Sequence, residues 1–388
     1  MRLLICFTLM AMFLAACAQQ STPQQEQPVV ENPAATFEQE VERLRKKFKI
    51  PGVSVAVLQN QRIILARGFG YADIENEIPA TADTPYNIAS LSKPFAGAVL
   101  MKLVEEGRLD LDSAVADILE NTIFNYNDFT LHGYADACLK IKEVGKDPDF
   151  KYALLLQDYR CDSEKITVRH HLTHTAQGVP GSRYRYNGFL FGFLSRVAEE
   201  VSGKRYSQLL VENIIAPLKM TRTVPCSRAD LCEQIMAERA KYYRVSFGGI
   251  FRLSNYPTEL SSSAGIISTV RDLAKFDVAM DRNLIVTEAS KELMFTQNIS
   301  NSGDPLPYGL GWFVQILEDK KLVWHYGLAP KAYSSLMLKV PEEELTLILL
   351  ANSDGASAPF RLSAGNVLRS PFATAFLNLF TNMKVGKK

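Results

Sequence analysis

One short segment places the strongest constraint on this chain, because it holds a nucleophile and a base one helical turn apart. The segment reads NIASLSKP (87–94) and lies between a turn-rich stretch and an apolar helical run. A helix that starts near Ser90 brings the Lys93 amine onto the same face as the Ser90 hydroxyl. A serine hydroxyl is a weak nucleophile that needs a neighbouring base, and burial lowers the pKa of a lysine enough for it to serve.

Ser90 and Lys93 form the only Ser-x-x-Lys pair in the chain. The alternative interpretation is a helix N-cap serine followed by a solvated lysine. Four longer runs favour catalysis: PGVSVAVL (51–58), GFGYAD (68–73), TPYNIASLSKP (84–94) and LVEEGRLDLDSAV (103–115). Together they resemble the serine β-lactamase and penicillin-binding-protein superfamily, in particular its esterase, D-aminopeptidase and D-alanyl-D-alanine carboxypeptidase branch. The resemblance implies that Ser90 is the nucleophile and Lys93 its base.

The distribution of strand-like and helical runs indicates one sheet built from both ends of the chain. Residues 37–48 and 360–383 have helical spacing, residues 53–66 read as a hairpin, and residues 314–350 read as consecutive strands. The resemblance implies an α+β fold of the β-lactamase/transpeptidase type, with an antiparallel sheet flanked by helices and a mostly helical lobe. It covers residues 37–388 except for an insertion at about 120–165, which could form a wall over the cleft or a surface elaboration.

The family carries a second general base, the tyrosine of a Tyr-x-Asn motif, and the resemblance implies that Tyr186 fills this role. Tyr184 is the alternative, since both tyrosines stand in the segment SRYRYNG (182–188). With Tyr186 as the base, Gly188 stands where the family often has the asparagine that binds the acyl-side amide of the substrate. We therefore expect esters or small acyl groups to be easier substrates than amides and β-lactams.

The third element is HYG (325–327), which stands where penicillin-targeting relatives carry Lys-Thr-Gly. The resemblance implies that His325 donates to a substrate carboxylate or carbonyl, although it carries less charge than lysine at neutral pH. Gly327 would let the strand approach the substrate. The N–H groups of Leu328 and Ser90 would form the oxyanion hole. The alternative for His325 is a histidine in the core of a strand.

Three histidines, His170, His171 and His174, invite a metal interpretation. His171 occupies the glutamate position of His-Glu-x-x-His, and the segment ITVRHHLTHT (166–175) matches a structural helix of the family. We therefore expect neither a metal nor a cofactor.

The first residues are typical of an exported lipoprotein. Residues 1–17 combine Arg2, a short apolar run and LAAC (14–17), so that Cys17 would carry lipid after cleavage. The alternative is a plain secretory signal with a chance cysteine. Residues 18–36 are rich in Gln and Pro and read as a flexible tether. Ala18 in place of aspartate favours the outer membrane, with the protein facing the periplasm or the outside.

Four further cysteines suggest disulfides in an exported protein: Cys138, Cys161, Cys226 and Cys232. Three pairings are open, and the most local one joins Cys138 to Cys161 and Cys226 to Cys232. The net charge of +1, from 43 basic and 42 acidic residues, argues against nucleic acid as a partner and leaves the lipid anchor as the membrane contact. The oligomeric state is open, with a monomer favoured.

Together these patterns predict a serine hydrolase that acts through an acyl-enzyme on a small-molecule ester, D-amino-acid amide or peptide, cell-wall fragments included. One alternative is a true β-lactamase or D,D-carboxypeptidase. An alternative of another class is a non-catalytic binder of cell-wall peptides, against which the intact Ser90, Lys93 and tyrosine argue.

Overall fold

The computed structural model describes residues 32–125, 130–147, 153–161, 165–225, 232–246, 248–253, 259–383 and 385. Residues 1–31 lie outside the described residues, and with them the predicted signal, Cys17 and most of the predicted tether. Cys226 also lies outside them, so its pairing with Cys232 stays a prediction. In the part of the chain that the structure describes, no helix is long and apolar enough to cross a membrane.

A seven-stranded antiparallel sheet forms the centre of the described chain, with strand order β10-β11-β12-β13-β1-β2-β3. The strands are, in chain order, β1 (Gly52–Gln59), β2 (Arg62–Asp73), β3 (Ile78–Pro79), β4 (Tyr86–Asn87), β5 (Ile123–Asn125), β6 (Thr130–His132), β7 (Tyr243–Ser246), β8 (Gly249–Arg252), β9 (Ile267–Ser268), β10 (Phe313–Leu317), β11 (Lys320–Ala329), β12 (Tyr333–Val340) and β13 (Leu345–Ala351). The first strand pairs with the last, with Val55 opposite Leu349. The prediction that both chain ends build one sheet is therefore confirmed.

Helices cover both faces of this sheet. They are α1 (Pro33–Lys47), α2 (Lys93–Glu105), α3 (Val115–Ile118), α4 (Gly133–Val144), α5 (Ala153–Leu156), α6 (Val168–Leu172), α7 (Gly188–Phe191), α8 (Phe193–Ser202), α9 (Tyr206–Leu210), α10 (Glu233–Glu238), α11 (Val270–Asp281), α12 (Glu288–Met294) and α13 (Pro371–Phe380). Strand β13 is buried along its whole length, as expected for a strand covered on both faces.

Alternate side chains of β1 enter different cores. Val55 packs with Phe37 and Phe372 under α1 and α13, whereas Ala56 packs with Phe95 under the helical lobe. This alternation follows the two-residue period of a strand. Each buried aliphatic or aromatic side chain contributes roughly 1.5–3 kcal/mol to the free energy of folding. Packing against the sheet therefore holds α2, the helix that begins with Lys93, in place.

Two predicted helices have other bounds in the structure. Helix α1 begins at Pro33 rather than Phe37, which shortens the predicted tether; proline suits a first helical position because its missing N–H would have no acceptor there. The helix predicted for 360–383 covers only Pro371–Phe380, because Ser370 caps its N-terminus and 3₁₀ turns precede it.

The insertion at 120–165 has secondary structure of its own. Strands β5 and β6 pair antiparallel, and α4 and α5 follow them. Cys138 and Cys161 form a disulfide with an S–S distance of 1.98 Å. The Tyr134 and Tyr159 hydroxyls share a hydrogen bond of 2.6 Å. These links hold the described parts of the insertion together.

Candidate active site

Ser90 lies in a 3₁₀ turn, Ala89–Ser92, rather than in the first turn of an α-helix. Two features shape the turn: the Ala89 N–H donates to Asn87 Oδ1 at 2.8 Å, and Ala89 has a positive φ of 49°. The Ser92 hydroxyl donates back to the Ala89 carbonyl at 2.8 Å. The turn leads directly into α2, so Lys93 is the first residue of that helix. Ser90 remains partly exposed while its neighbours are buried.

The Lys93 amine lies 3.0 Å from three oxygen atoms: Ser90 Oγ, the Ser263 carbonyl and Ser263 Oγ. Its side chain is fully buried, and this burial holds the pKa of the amine well below its usual range. A neutral amine has two N–H groups and one lone pair. The two Ser263 oxygens can accept the N–H groups, which leaves the lone pair to the Ser90 O–H. The contacts therefore suit a general base.

Ser263 is a site residue that the sequence analysis did not single out. A Cβ placed on Gly188 would lie 3.1 Å from Ser263 Oγ and 3.7 Å from Lys93 Nζ. The Ser263 hydroxyl thus occupies the space beside Lys93 that a side chain at 188 would need.

The two candidate tyrosines differ in what their hydroxyls contact. The Tyr184 hydroxyl donates to the Ser363 carbonyl at 3.0 Å. The Tyr186 hydroxyl is buried and has no hydrogen-bond partner among the described residues, yet Ser90 is close enough to lower its pKa. Its ring centroid lies 5.1 Å from Lys93 Nζ. The geometry favours Tyr186 as the site tyrosine.

Burial, with a smaller contribution from Tyr326, raises the pKa of Tyr186 well above its usual range. The phenol therefore stays protonated at neutral pH, and it can pass a proton on but is not a ready base. His174 packs against its ring with centroids 4.4 Å apart. His174 Nδ1 accepts the Asn187 N–H at 3.2 Å, which fixes the segment that carries Tyr186.

His325 is fully buried on β11, and both of its ring nitrogens have partners. Nδ1 donates to the Tyr326 carbonyl at 2.7 Å. Nε2 then accepts the Tyr308 O–H at 2.8 Å. Burial, followed by the charge of Lys93, holds the pKa of His325 well below its usual range. The imidazole is therefore neutral, and a role in holding substrate stays a prediction that requires the Tyr308 bond to open.

Gly327 lets β11 pass close to the nucleophile turn. Any side chain there would collide with the Ile88 carbonyl oxygen and with Ser335 Oγ, and the Ser335 hydroxyl donates to the same carbonyl at 2.8 Å. The close approach expected of Gly327 is thus to the turn that carries Ser90. Leu328 follows at the edge of the cleft, where its N–H stays the predicted partner of the Ser90 N–H.

Two histidines of the segment 166–175 form hydrogen bonds within the helical lobe. His170 Nδ1 accepts the Thr167 N–H at 3.0 Å, and His171 Nδ1 donates to the Leu190 carbonyl at 2.8 Å. Among the described residues, no group of three or more His, Cys, Asp or Glu side chains could hold a metal ion.

An open cleft of about 1340 Å³ adjoins the site. Gly188, Ser263 and Leu328 line the end beside Lys93, and Phe124 and Leu155 of the insertion form part of the wall. Of the two alternatives for the insertion, the described residues place it against the cleft.

The sheet, the helical lobe and the cleft that Lys93 faces define the class of β-lactamase/transpeptidase-fold proteins, as expected from the sequence. The chain belongs to the Beta-lactamase family, whose family model matches residues 37–369. Membership of this family supports a hydrolase or a penicillin-binding type of protein.

Three similar proteins illustrate the relationship. Protein flp of Staphylococcus aureus (strain MW2) is 26% identical over 334 residues, which cover 82% of this chain and 63% of that protein. The chain thus spans less than two thirds of that relative. The octameric penicillin-binding protein homologue from Pyrococcus abyssi has a TM-score of 0.69 at 23% identity, covering 90% of this chain and 78% of that one. The D-amino acid amidase from Ochrobactrum anthropi SV3 has a TM-score of 0.63 at 19% identity, and the match covers 89% of this chain and 98% of the amidase.

Proposed function

We propose that this protein is a serine hydrolase that works through an acyl-enzyme on Ser90, with esters, D-amino-acid amides or peptides as substrates. One observation carries the proposal: the buried Lys93 amine lies 3.0 Å from Ser90 Oγ, and its pKa is lowered. The names of two neighbours, a D-amino acid amidase and a penicillin-binding protein homologue, support amides and peptides within this class.

The proposed reaction begins when Ser90 Oγ attacks the substrate carbonyl while its proton moves to Lys93. The N–H groups of Ser90 and Leu328 hold the developing oxyanion. Tyr186 donates a proton to the leaving group and is reprotonated from Lys93. Water then attacks the acyl-enzyme, and the same groups return the proton to Ser90. The residues supply every proton transfer, so the proposed reaction requires no cofactor.

Two features of the site argue for esters over β-lactams. A neutral, hydrogen-bonded His325 offers no positive charge to a substrate carboxylate. Gly188 offers no amide to the acyl side of the substrate. Each charge-assisted hydrogen bond that is lost costs roughly 1.5–3 kcal/mol, which is about tenfold to a hundredfold in rate.

The test compares kcat/KM for a short-chain p-nitrophenyl ester with kcat/KM for a chromogenic cephalosporin. We expect the ester value to exceed the cephalosporin value by at least about tenfold, because the ester needs only Ser90 and an oxyanion hole. A kcat/KM for the cephalosporin above that for the ester would contradict this proposal and favour the β-lactamase alternative.

We also propose that the protein is exported and anchored by lipid on Cys17, on the strength of the LAAC segment (14–17). The Cys17→Ser variant should leave the membrane fraction and change in size. A variant that fractionates with membranes at the parent size would contradict the anchor.

A further inference from the structure

We infer that the insertion at 120–165 builds one wall of an apolar subsite that takes the acyl group of the substrate, with a preference for branched or aromatic chains larger than acetyl. This inference rests on the proposed function, and it adds the substrate feature that this chain selects. Four apolar side chains line the cleft together: Phe124 and Leu155 of the insertion, and Phe189 and Phe193 of the helical lobe.

The rings of the subsite are in mutual contact. Phe193 packs edge-on against Phe124 and against Phe189, with ring centroids 6.2 Å apart in both pairs. Phe193 and Phe124 are nearly buried, whereas Phe189 is 37% exposed and Leu155 is half-buried. The inner rings therefore support the wall, and Phe189 and Leu155 present the surface that a ligand can cover.

The subsite begins directly beside the reacting groups. Gly188 precedes Phe189 in the chain, and a Cβ on Gly188 would point at Ser263 Oγ and Lys93 Nζ. The Ser263 hydroxyl takes up the space beside Gly188, and the apolar wall begins at the next residue, Phe189. Gly188 and Ser263 border both Lys93 and the cleft, so a group that rests on the apolar wall lies next to the carbonyl that Ser90 attacks.

The insertion is attached to the segment that carries the site tyrosine. The Leu155 carbonyl accepts hydrogen bonds from Gln177 Nε2, at 2.9 Å, and from Asn187 Nδ2. Asn187 lies between Tyr186 and Gly188, and its Oδ1 accepts the Leu190 N–H at 3.0 Å, which caps α7. The buried Asn187 thus links the segment that carries Tyr186 to the part of the insertion that carries Leu155.

Charged side chains share the cleft with the apolar wall. Arg196 and Glu199 line it farther along α8 and form an ion pair of 2.8 Å. Glu212 also lines the cleft and pairs with Lys204 at 2.6 Å. Further apolar side chains line it as well: Tyr206, Val211, Val224 and Leu260. We assign the acyl group to the part nearest Gly188, because that part adjoins Lys93 and carries the exposed Phe189.

The test uses the full-length protein and the single variants Leu155→Ala and Phe189→Ala. The readout is the ratio of kcat/KM for p-nitrophenyl phenylacetate to kcat/KM for p-nitrophenyl acetate, normalised by active-site titration. We expect each variant to lower this ratio about tenfold, since one or a few lost apolar carbons in a pocket change discrimination by that order. Leu139→Ala is the matched control, because Leu139 belongs to the same insertion but is 66% exposed on α4.

A ratio that changes by less than about twofold in both variants overturns the subsite, as does an equal fall in the Leu139→Ala control. If the parent protein hydrolyses neither ester, the ester part of the proposed function fails, independently of the subsite. The subsite is then judged from the rates at which a benzyl and a methyl fluorophosphonate label Ser90. A variant-dependent fall in that ratio supports the wall, and an unchanged ratio overturns it.

Discussion

Lys93 has no side chain of opposite charge among the partners that hold its amine, which are the hydroxyl of Ser90 and the carbonyl and hydroxyl of Ser263. Neutral oxygens compensate little of the cost of burying an ammonium. The amine therefore gives up its proton at a pH where an exposed lysine keeps it. This makes the lysine a base without help from a carboxylate.

The first prediction concerns the pH dependence of the reaction. The active form needs neutral Lys93, so kcat/KM should rise with pH through the pKa of this amine. Because burial lowers that pKa well below 10.5, the rise should be complete at a pH well below that value. The measurement is a pH–rate profile from about pH 5 to about pH 10 with a short ester. A rising limb centred at the ordinary lysine value would contradict the neutral base.

The second prediction separates the two tyrosines. Tyr186→Phe should lower kcat by about a hundredfold or more, because it removes the proton donor for the leaving group. Tyr184→Phe is the matched control: it removes a bond to the Ser363 carbonyl and should cost about 1 kcal/mol of folding free energy with a far smaller effect on kcat. Steady-state kinetics and thermal unfolding of both variants give these values. A larger fall in kcat for Tyr184→Phe than for Tyr186→Phe would make Tyr184 the proton donor.

Some residues of the site could be predicted from the sequence and others could not. Ser90 and Lys93 are close in the chain, so their spacing alone brings them together. Ser263 reaches Lys93 from 170 positions away, and Tyr308 reaches His325 across two elements. Such pairs depend on the packing of α2 and β11 against other segments, which no local pattern contains.

At the scale of elements, α11 is fastened to the sheet by a buried ion pair. Lys339 of β12 lies 2.6 Å from Asp277 and 3.0 Å from Asp281, both of α11. Lys339 is 1% exposed and Asp277 is 2% exposed. Burial lowers the pKa of Lys339, but the two carboxylates more than offset this and leave it raised. Burial raises the pKa of Asp277 to about 6, so both groups are ionised at neutral pH.

The third prediction is that Lys339→Met destabilises the protein by about 3–5 kcal/mol, because it leaves Asp277 buried without its cation. The control is Lys275→Met, which removes a partner of Asp272 on the same helix but takes away a lysine that is 42% exposed. That change should cost about 1 kcal/mol or less. Urea unfolding gives both values. An equal fall in the free energy of unfolding of the two variants would show that burial does not determine the strength of these ion pairs.

Element types were easier to predict than element ends. The run LTLILLA of β13 is almost entirely apolar, so it is readily predicted as a buried strand. The end of a helix depends on one capping group, such as Ser370 before α13, which is one serine among many. Lys219 adopts a positive φ of 51°, so tertiary packing holds a conformation that its residue type disfavours.

At the scale of the whole molecule, the two chain ends form the sheet and the middle forms the lobe that closes the site. Two residues of the predicted insertion at 120–165, Phe124 and Leu155, line the cleft. The bounds of the insertion stay a prediction, and its contacts could not be read from the sequence. Two of those contacts join the Leu155 carbonyl to the side chains of Gln177 and Asn187, which no motif singles out.

The central claim is that Ser90 is the one nucleophile of the molecule, and active-site labelling tests it most directly. The full-length protein is treated with a fluorophosphonate, digested and analysed by peptide mass spectrometry. We expect a single adduct on Ser90, which is lost in Ser90→Ala. The adduct should form far more slowly in Lys93→Ala, since Lys93 takes the proton from the attacking hydroxyl. An adduct on any other serine, or labelling that survives in Ser90→Ala, would contradict it.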